Sequence, residues 1–321
     1  MTDNIGLSLA AIDIIALCTA IGTLACLAWI TPASVGDRHG QAGLTLWRLF
    51  AVCLALLTVN SVGIFLIRAH VLSGRPYSSL GPVLLVVLGK THYGHVWAVR
   101  VISIAVLWIA WAAGRLRPHR RIWLWLLLAG TAVTAFTRSA TGHAADQGDF
   151  TAHEIMDWLH ILVASAWGGG VVAFALGVFD GDRPPTAFNA MAYRLSSLAT
   201  VALPLVLGTG VYNAWRRFAT ISELWRTDYG RHFMLKIALV AVMLALGAFN
   251  RFCYLNRLPR PGAAGRSAPA TDSSHADDYA IQRAFRRVLL IEALVTMAVF
   301  IAVAVMVNTA PPRDAMGAVH M

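Results

Sequence analysis

Apolar and polar positions fall along this chain in blocks, not in a fine alternation. Eight long apolar runs, Leu7–Ile30, Leu46–Ile67, Val96–Ala113, Ile122–Phe136, Ile155–Val178, Leu195–Val211, Leu235–Phe249 and Val288–Val307, are separated by short charged stretches. Most approach the roughly 20 residues that cross a bilayer core at about 1.5 Å per residue. Flanking Arg, Trp and Tyr extend the shorter ones by anchoring at the interface. Inside lipid every backbone N–H and C=O must be satisfied within the protein, and runs of this length do that as helices. The pattern predicts an all-α, polytopic integral membrane bundle of about eight transmembrane helices, a single membrane domain over residues 1–321. A ninth stretch, Val83–Leu88, is too short to span and reads as an interfacial or re-entrant lead-in to the third helix. Pro259–Asp278, rich in Pro, Gly, Ala and Ser, reads as a flexible cytoplasmic linker. No soluble domain and no internal repeat is read.

Composition narrows the class further. Of 321 residues, 58% are hydrophobic and only 13% charged, where a soluble domain carries about 25% charge. That is too little to cover a soluble enzyme, so no catalytic function is expected. The formal charge of +10 does not point to nucleic acid, because the Arg residues sit at the ends of apolar runs instead of forming a stripe with aromatics. Four cysteines, Cys18, Cys26, Cys53 and Cys253, lie in or beside apolar runs with no CxxC pair. They read as small membrane-buried side chains, with Cys18 and Cys26 as soft copper ligands the alternative. The first basic residue is Arg38, and the first run is too long for the apolar part of a cleavable signal peptide.

Loop charges set the expected orientation. Fifteen Lys and Arg residues fall on the side holding Arg115–Arg121 and Arg251–Arg287, and nine on the other. The richer side is expected to be cytoplasmic, which leaves both termini outside. Eight of the eleven histidines then lie on the outer side or in the outer halves of spans.

The sharpest constellation is His143, followed by His153, Met156, Asp157 and His160. On a helix the last four are spaced i, i+3, i+4 and i+7 and share one face. Imidazole, thioether and carboxylate together suit copper, and ionisable groups inside a span are usually functional. His153 and His160 would stand about 10 Å apart along the axis, too far for one mononuclear site. They read as two stations on a path, His143 completing the outer one, with Asp157 either a ligand or an orienting partner for a histidine. His92 and His95 form a further i, i+3 pair at the outer mouth of the third span. Asp13, Arg100, Lys236 and Glu292 are intramembrane charges expected to pair with one another or with polar groups. His153-Glu154-Ile155-Met156-Asp157 lacks the second histidine of a zinc-protease motif, and no phosphate-binding Walker loop is present. Gly168-Gly169-Gly170 lies in an apolar helix and reads as close packing.

Taken in order, Thr91, Gly94, Trp97 and Arg100; Thr141-Gly142-His143-Ala144; His153, Asp157 and His160; Ala164-Ser165-Ala166-Trp167-Gly168-Gly169; Gly208-Thr209-Gly210-Val211-Tyr212-Asn213; Tyr229-Gly230 before Lys236; Asn250-Arg251; and Pro311-Pro312 resemble the CopD/PcoD copper-resistance membrane proteins. That family shares a domain with the YcnJ-type copper uptake proteins. The resemblance implies a multi-pass bacterial inner-membrane protein that moves copper, as Cu(I) or Cu(II), from periplasm to cytoplasm. It also implies a supplying periplasmic carrier of the CopC type, here expected to be a separate chain. It assigns no role to His92 or His95. Two other readings stand beside it: a haem-binding membrane electron carrier, which needs histidines at matching depth on facing helices, and a copper sensor or docking protein that binds metal without flux.

Overall fold

The computed structural model describes residues 2–31, 41–117, 121–142, 148–177, 185–259 and 272–309, together with Pro312. The described residues are almost wholly helical and contain no strand. In chain order the α-helices are α1 (Thr2–Ala25), α2 (Gln41–Ser73), α3 (Gly81–Lys90), α4 (His92–Leu116), α5 (Ile122–Ser139), α6 (Ala152–Ala164), α7 (Gly170–Gly177), α8 (Pro185–Arg217), α9 (Glu223–Arg226), α10 (Asp228–Phe249) and α11 (Asp272–Val307). Wider π-helical turns extend α1 over Cys26–Ile30, join α6 to α7 over Ser165–Gly169, and continue α10 over Asn250–Tyr254.

Among the described residues, eight helical stretches are long and apolar enough to cross a membrane, α6 and α7 together making the fifth. They match the eight apolar runs of the sequence, though α2 and α8 each run to 33 residues and outlast their apolar centres. The stretch expected to be interfacial is the ten-residue α3, which packs Val87 against Phe65 and Ala69 of α2. One boundary differs: the last helix begins at Asp272, inside the expected linker 259–278, and residues 260–271 lie outside the described residues.

The bundle is organised around α1, whose 67% enclosure exceeds that of every other span. Its tight neighbour is the fifth span. A side chain on Gly22 would come within 1.9 Å of the Gly169 backbone, and one on Gly169 within 1.9 Å of the Cys18 carbonyl. Small residues let membrane helices approach backbone to backbone, where dispersion replaces a missing hydrophobic drive. The triple glycine is therefore a packing element, as its setting in an apolar run suggests. Cys18, Cys26 and Cys53 are buried. Cys18 Sγ accepts from Ser165 Oγ at 3.2 Å, and Cys26 Sγ donates to the Gly170 carbonyl at 3.6 Å, so both are contact groups of this crossing.

Candidate functional site

Thr151 starts α6: its Oγ1 accepts from the Glu154 backbone N–H at 3.2 Å, satisfying an otherwise open helix-end donor. The helix continues unbroken through His160, so His153, Met156, Asp157 and His160 keep the shared face that their spacing requires. Three of the four make defined contacts with α8. The His153 ring lies 6.2 Å from that of Tyr212, Asp157 meets Asn213 and Arg217, and His160 Nδ1 lies 2.9 Å from Thr209 Oγ1. Gly210 makes room for the imidazole, since a Cβ there would sit 3.3 Å from His160 Cε1.

The Thr209 hydroxyl decides how His160 is used. Its single proton goes to the Leu205 carbonyl, 2.7 Å away, which can only accept. The oxygen can then only accept from His160, so Nδ1 carries the N–H. In the neutral ring Nε2 is left with its lone pair, the state a metal ligand needs.

Asp157 is engaged otherwise. Its Oδ1 accepts from Arg217 Nη2 at 3.1 Å and from Asn213 Nδ2 at 3.3 Å. The Ser139 hydroxyl lies 3.1 Å from Oδ2 and 3.0 Å from the Glu154 carbonyl. Arg217 also donates from Nη1 to the Tyr229 hydroxyl at 2.8 Å. One carboxylate thus ties α5, α6, α8 and, through Arg217, α10. Lys236 and Arg217 both act electrostatically on His160 together with Asp157, so two cations surround one anion.

The remaining sequence candidates scatter. His92 and His95 are exposed at the start of α4; His92 Nε2 lies 3.3 Å from the Ala140 carbonyl and 3.5 Å from Asp149 Oδ1. Met156 is half-buried, and His143 lies outside the described residues. Among the described residues, no three His, Cys, Asp or Glu side chains stand together as a metal-binding group.

Two features escape the linear reading. The first is an ion cluster: buried Asp13 of α1 pairs with Arg100 of α4 and lies 3.8 Å from Arg138 of α5. With Tyr93, Trp97, Thr137 and Thr141 it lines a cavity of about 40 Å³. The second is a local repeat that the sequence reading does not claim. Thr91-His92-Tyr93-Gly94 and Thr227-Asp228-Tyr229-Gly230 open α4 and α10 in the same way. Each threonine accepts from the glycine N–H at 3.0 Å. Each glycine packs against the preceding short helix, where a Cβ would meet a carbonyl oxygen at 2.0 Å or 2.2 Å. An aromatic follows three residues later (Trp97, Phe233) and a cation six later (Arg100, Lys236). Each tyrosine also meets an arginine from the preceding span: Arg68 over Tyr93 at 5.5 Å, Arg217 on Tyr229. The shared T-x-Y-G pattern is a signal a direct comparison of the two halves could have found.

Known proteins resemble the chain in the same two portions. The family profile described as Copper resistance protein D matches residues 189–306, and the one described as Copper resistance protein D-like, N-terminal domain, matches residues 1–152. Copper transport protein CutJ of Bacillus subtilis (strain 168) is 33% identical over 115 residues, covering 35% of this chain and 21% of CutJ. Inner membrane protein YebZ of Escherichia coli (strain K12) is 26% identical over 174 residues, 53% of this chain and 57% of YebZ. Copper resistance protein D of Pseudomonas syringae pv. tomato is 25% identical over 233 residues, 70% of this chain and 74% of that protein. The chain thus spans about a fifth of CutJ and just over half of YebZ. No solved structure matches it.

Proposed function

The chain belongs to the copper resistance protein D family, a family of copper-resistance and copper-transport membrane proteins, and from that premise we propose that it carries copper from periplasm to cytoplasm across the bacterial inner membrane. Copper enters at the end of the bundle where α6 begins and passes between α6 and α8. The observation that carries this reading is His160: its Nδ1–H is fixed on Thr209, which leaves Nε2 as a lone-pair donor on the face that also bears His153. The two imidazoles stand about 10 Å apart along α6 at 1.5 Å per residue, so an ion moves between stations instead of resting in a closed cage. His153 with His143 receives the ion, Met156 offers a soft intermediate contact, and His160 is the inner station. Asp157 acts through its ion pair, holding α8 against this face. Arg217 and Lys236 outweigh Asp157, and that surplus positive charge favours Cu(I) over Cu(II), because imidazole and thioether hold the monovalent ion without an anionic ligand. His92 and His95 form a secondary outer collecting point, and a small periplasmic copper carrier of the CopC type supplies the ion.

Copper uptake into proteoliposomes containing the purified chain tests this reading. Uptake should be lost when His153 and His160 are both changed to Ala. Unchanged accumulation by that variant would remove the α6 path, and copper binding without uptake by either protein would replace transport with a sensing or docking role.

A further inference from the structure

A second cavity lies at the opposite end of α8 and α10 from the Arg217–Tyr229 contact. It measures about 390 Å³, is closed behind by Trp167 and α11, and has Glu292 and Asn250 in its lining. Glu292 is only 5% exposed and Asn250 3%. Glu292 sits one residue from the midpoint of the eighth span, Tyr279–Val307. Among the described residues its carboxylate has no hydrogen-bond or ion-pair partner; it abuts Gly247, where a Cβ would lie 3.1 Å from Oε1. Asn250 donates from Nδ2 to the Phe285 carbonyl at 3.4 Å, while its Oδ1 is buried without a partner. An ionised carboxylate stranded in apolar surroundings is expensive, and inside a membrane span such a group is a functional-site candidate by default.

We propose that Glu292, which shares the cavity lining with Asn250, is a proton-binding site that exchanges one proton with water at the rim of this cavity and couples that proton to copper movement. The inference rests on the transport reading. Two observations select a proton over a metal ion. The donors are few and hard, so a metal would be left under-coordinated and copper in its soft state poorly served. Arg251 lines the same cavity and is occupied at its rim by Thr200, Nη1 to Oγ1 2.5 Å. It would repel a second cation, whereas a protonated carboxyl is neutral.

The surroundings leave the proton to Glu292 alone. From the π turn after α10 only Arg251 faces the cavity as a charged group. α8 contributes the uncharged Ser196 and Thr200, and the fifth span Trp167 and Val171. α10 contributes Leu244, Gly247 and Ala248, and α11 Phe285 and Leu289, none of them charged.

The test pairs two readouts on the full chain. Infrared spectra of the purified protein should show a carboxylic-acid carbonyl band that titrates in the unmodified protein and is missing from Glu292→Gln. In proteoliposomes, an imposed pH gradient should change copper uptake by the unmodified protein several-fold. Glu292→Gln should lose that response with copper binding unchanged, and Glu292→Asp should restore it. A gradient response in Glu292→Gln equal to that of the unmodified protein overturns the coupling, as does an unmodified protein that transports copper with no response to the gradient. No difference between the infrared spectra overturns the proton site. If no variant moves copper, the transport reading fails by itself, and the infrared arm still decides whether Glu292 binds a proton.

Discussion

Arg217 at the end of α8 reaches Asp157 in α6 through Nη2 and Oδ1 at 3.1 Å, and each side chain keeps only 16% of its exposure. The same guanidinium binds the Tyr229 hydroxyl, so one arginine joins three spans at the end where copper is proposed to enter. The pair is structural and electrostatic at once: it holds the α6 face on α8 and sets the charge around His160.

Breaking that pair strands a charge in a largely enclosed place, which costs about 3–5 kcal/mol when burial is complete. Arg217→Ala should therefore lower the thermal unfolding midpoint in detergent markedly. Asp157→Asn, which leaves Arg217 its tyrosine, should lower it less. The double variant Asp157→Leu with Arg217→Met should recover much of the loss. A double variant no more stable than Arg217→Ala would show that the pair's geometry, and not its uncompensated charge, is what matters.

Thr209→Val removes the acceptor of the His160 Nδ1–H while keeping the shape of the side chain. Losing a partner that fixes a ligand's tautomer lowers metal affinity by roughly 10–100-fold. Copper titration of purified protein should show a fall of that order for Thr209→Val and near-normal affinity for Thr209→Ser. Equal affinity in all three would mean that His160 is not a ligand.

Gly22→Ala should be among the most disruptive single-methyl changes available, because the added Cβ lies within 1.9 Å of the Gly169 backbone and neither helix has a side chain that can yield. Overpacking typically costs about 1–3 kcal/mol, and backbone contact places this variant at the upper end. Gly208→Ala, with nothing within 4 Å of its Cβ, is the matched control and should leave the midpoint unchanged. Both are read by thermal unfolding followed with a thiol-reactive dye.

Cys253 is partly exposed, whereas Cys18, Cys26 and Cys53 are buried. A membrane-impermeant maleimide should therefore modify Cys253 alone in folded protein. With the proposed orientation it should react in inside-out vesicles and not in right-side-out ones. The reverse result would invert the bundle and, with it, the direction assigned to copper.

Eight spans were legible from residue order alone, because burying an unpaired backbone in lipid is so unfavourable that any apolar run of sufficient length becomes a helix. The shared face of His153, Met156, Asp157 and His160 was legible for a similar reason, since it depends only on helical periodicity and on Thr151 capping the helix start. The same holds for the Gly168–Gly170 segment as a packing surface. The repeated T-x-Y-G hairpins were present in the sequence but dispersed over more than a hundred positions, and only the matching contacts of Tyr93 and Tyr229 exposed them.

Pairing belonged to the tertiary structure. Asp13, Arg100, Lys236 and Glu292 carry no label for their partners, because a side chain's neighbour across a bundle depends on how helices rotate and cross. The fold joined Asp13 to Arg100 and Arg138, paired Asp157 with Arg217, and left Glu292 facing a cavity. Local sequence decides which segments become helices, since that choice is settled by the segment's own backbone hydrogen bonds and its contact with lipid. Which polar groups meet is settled by long-range packing, of which the backbone approach of Gly22 to Gly169 at the α1 crossing is one instance.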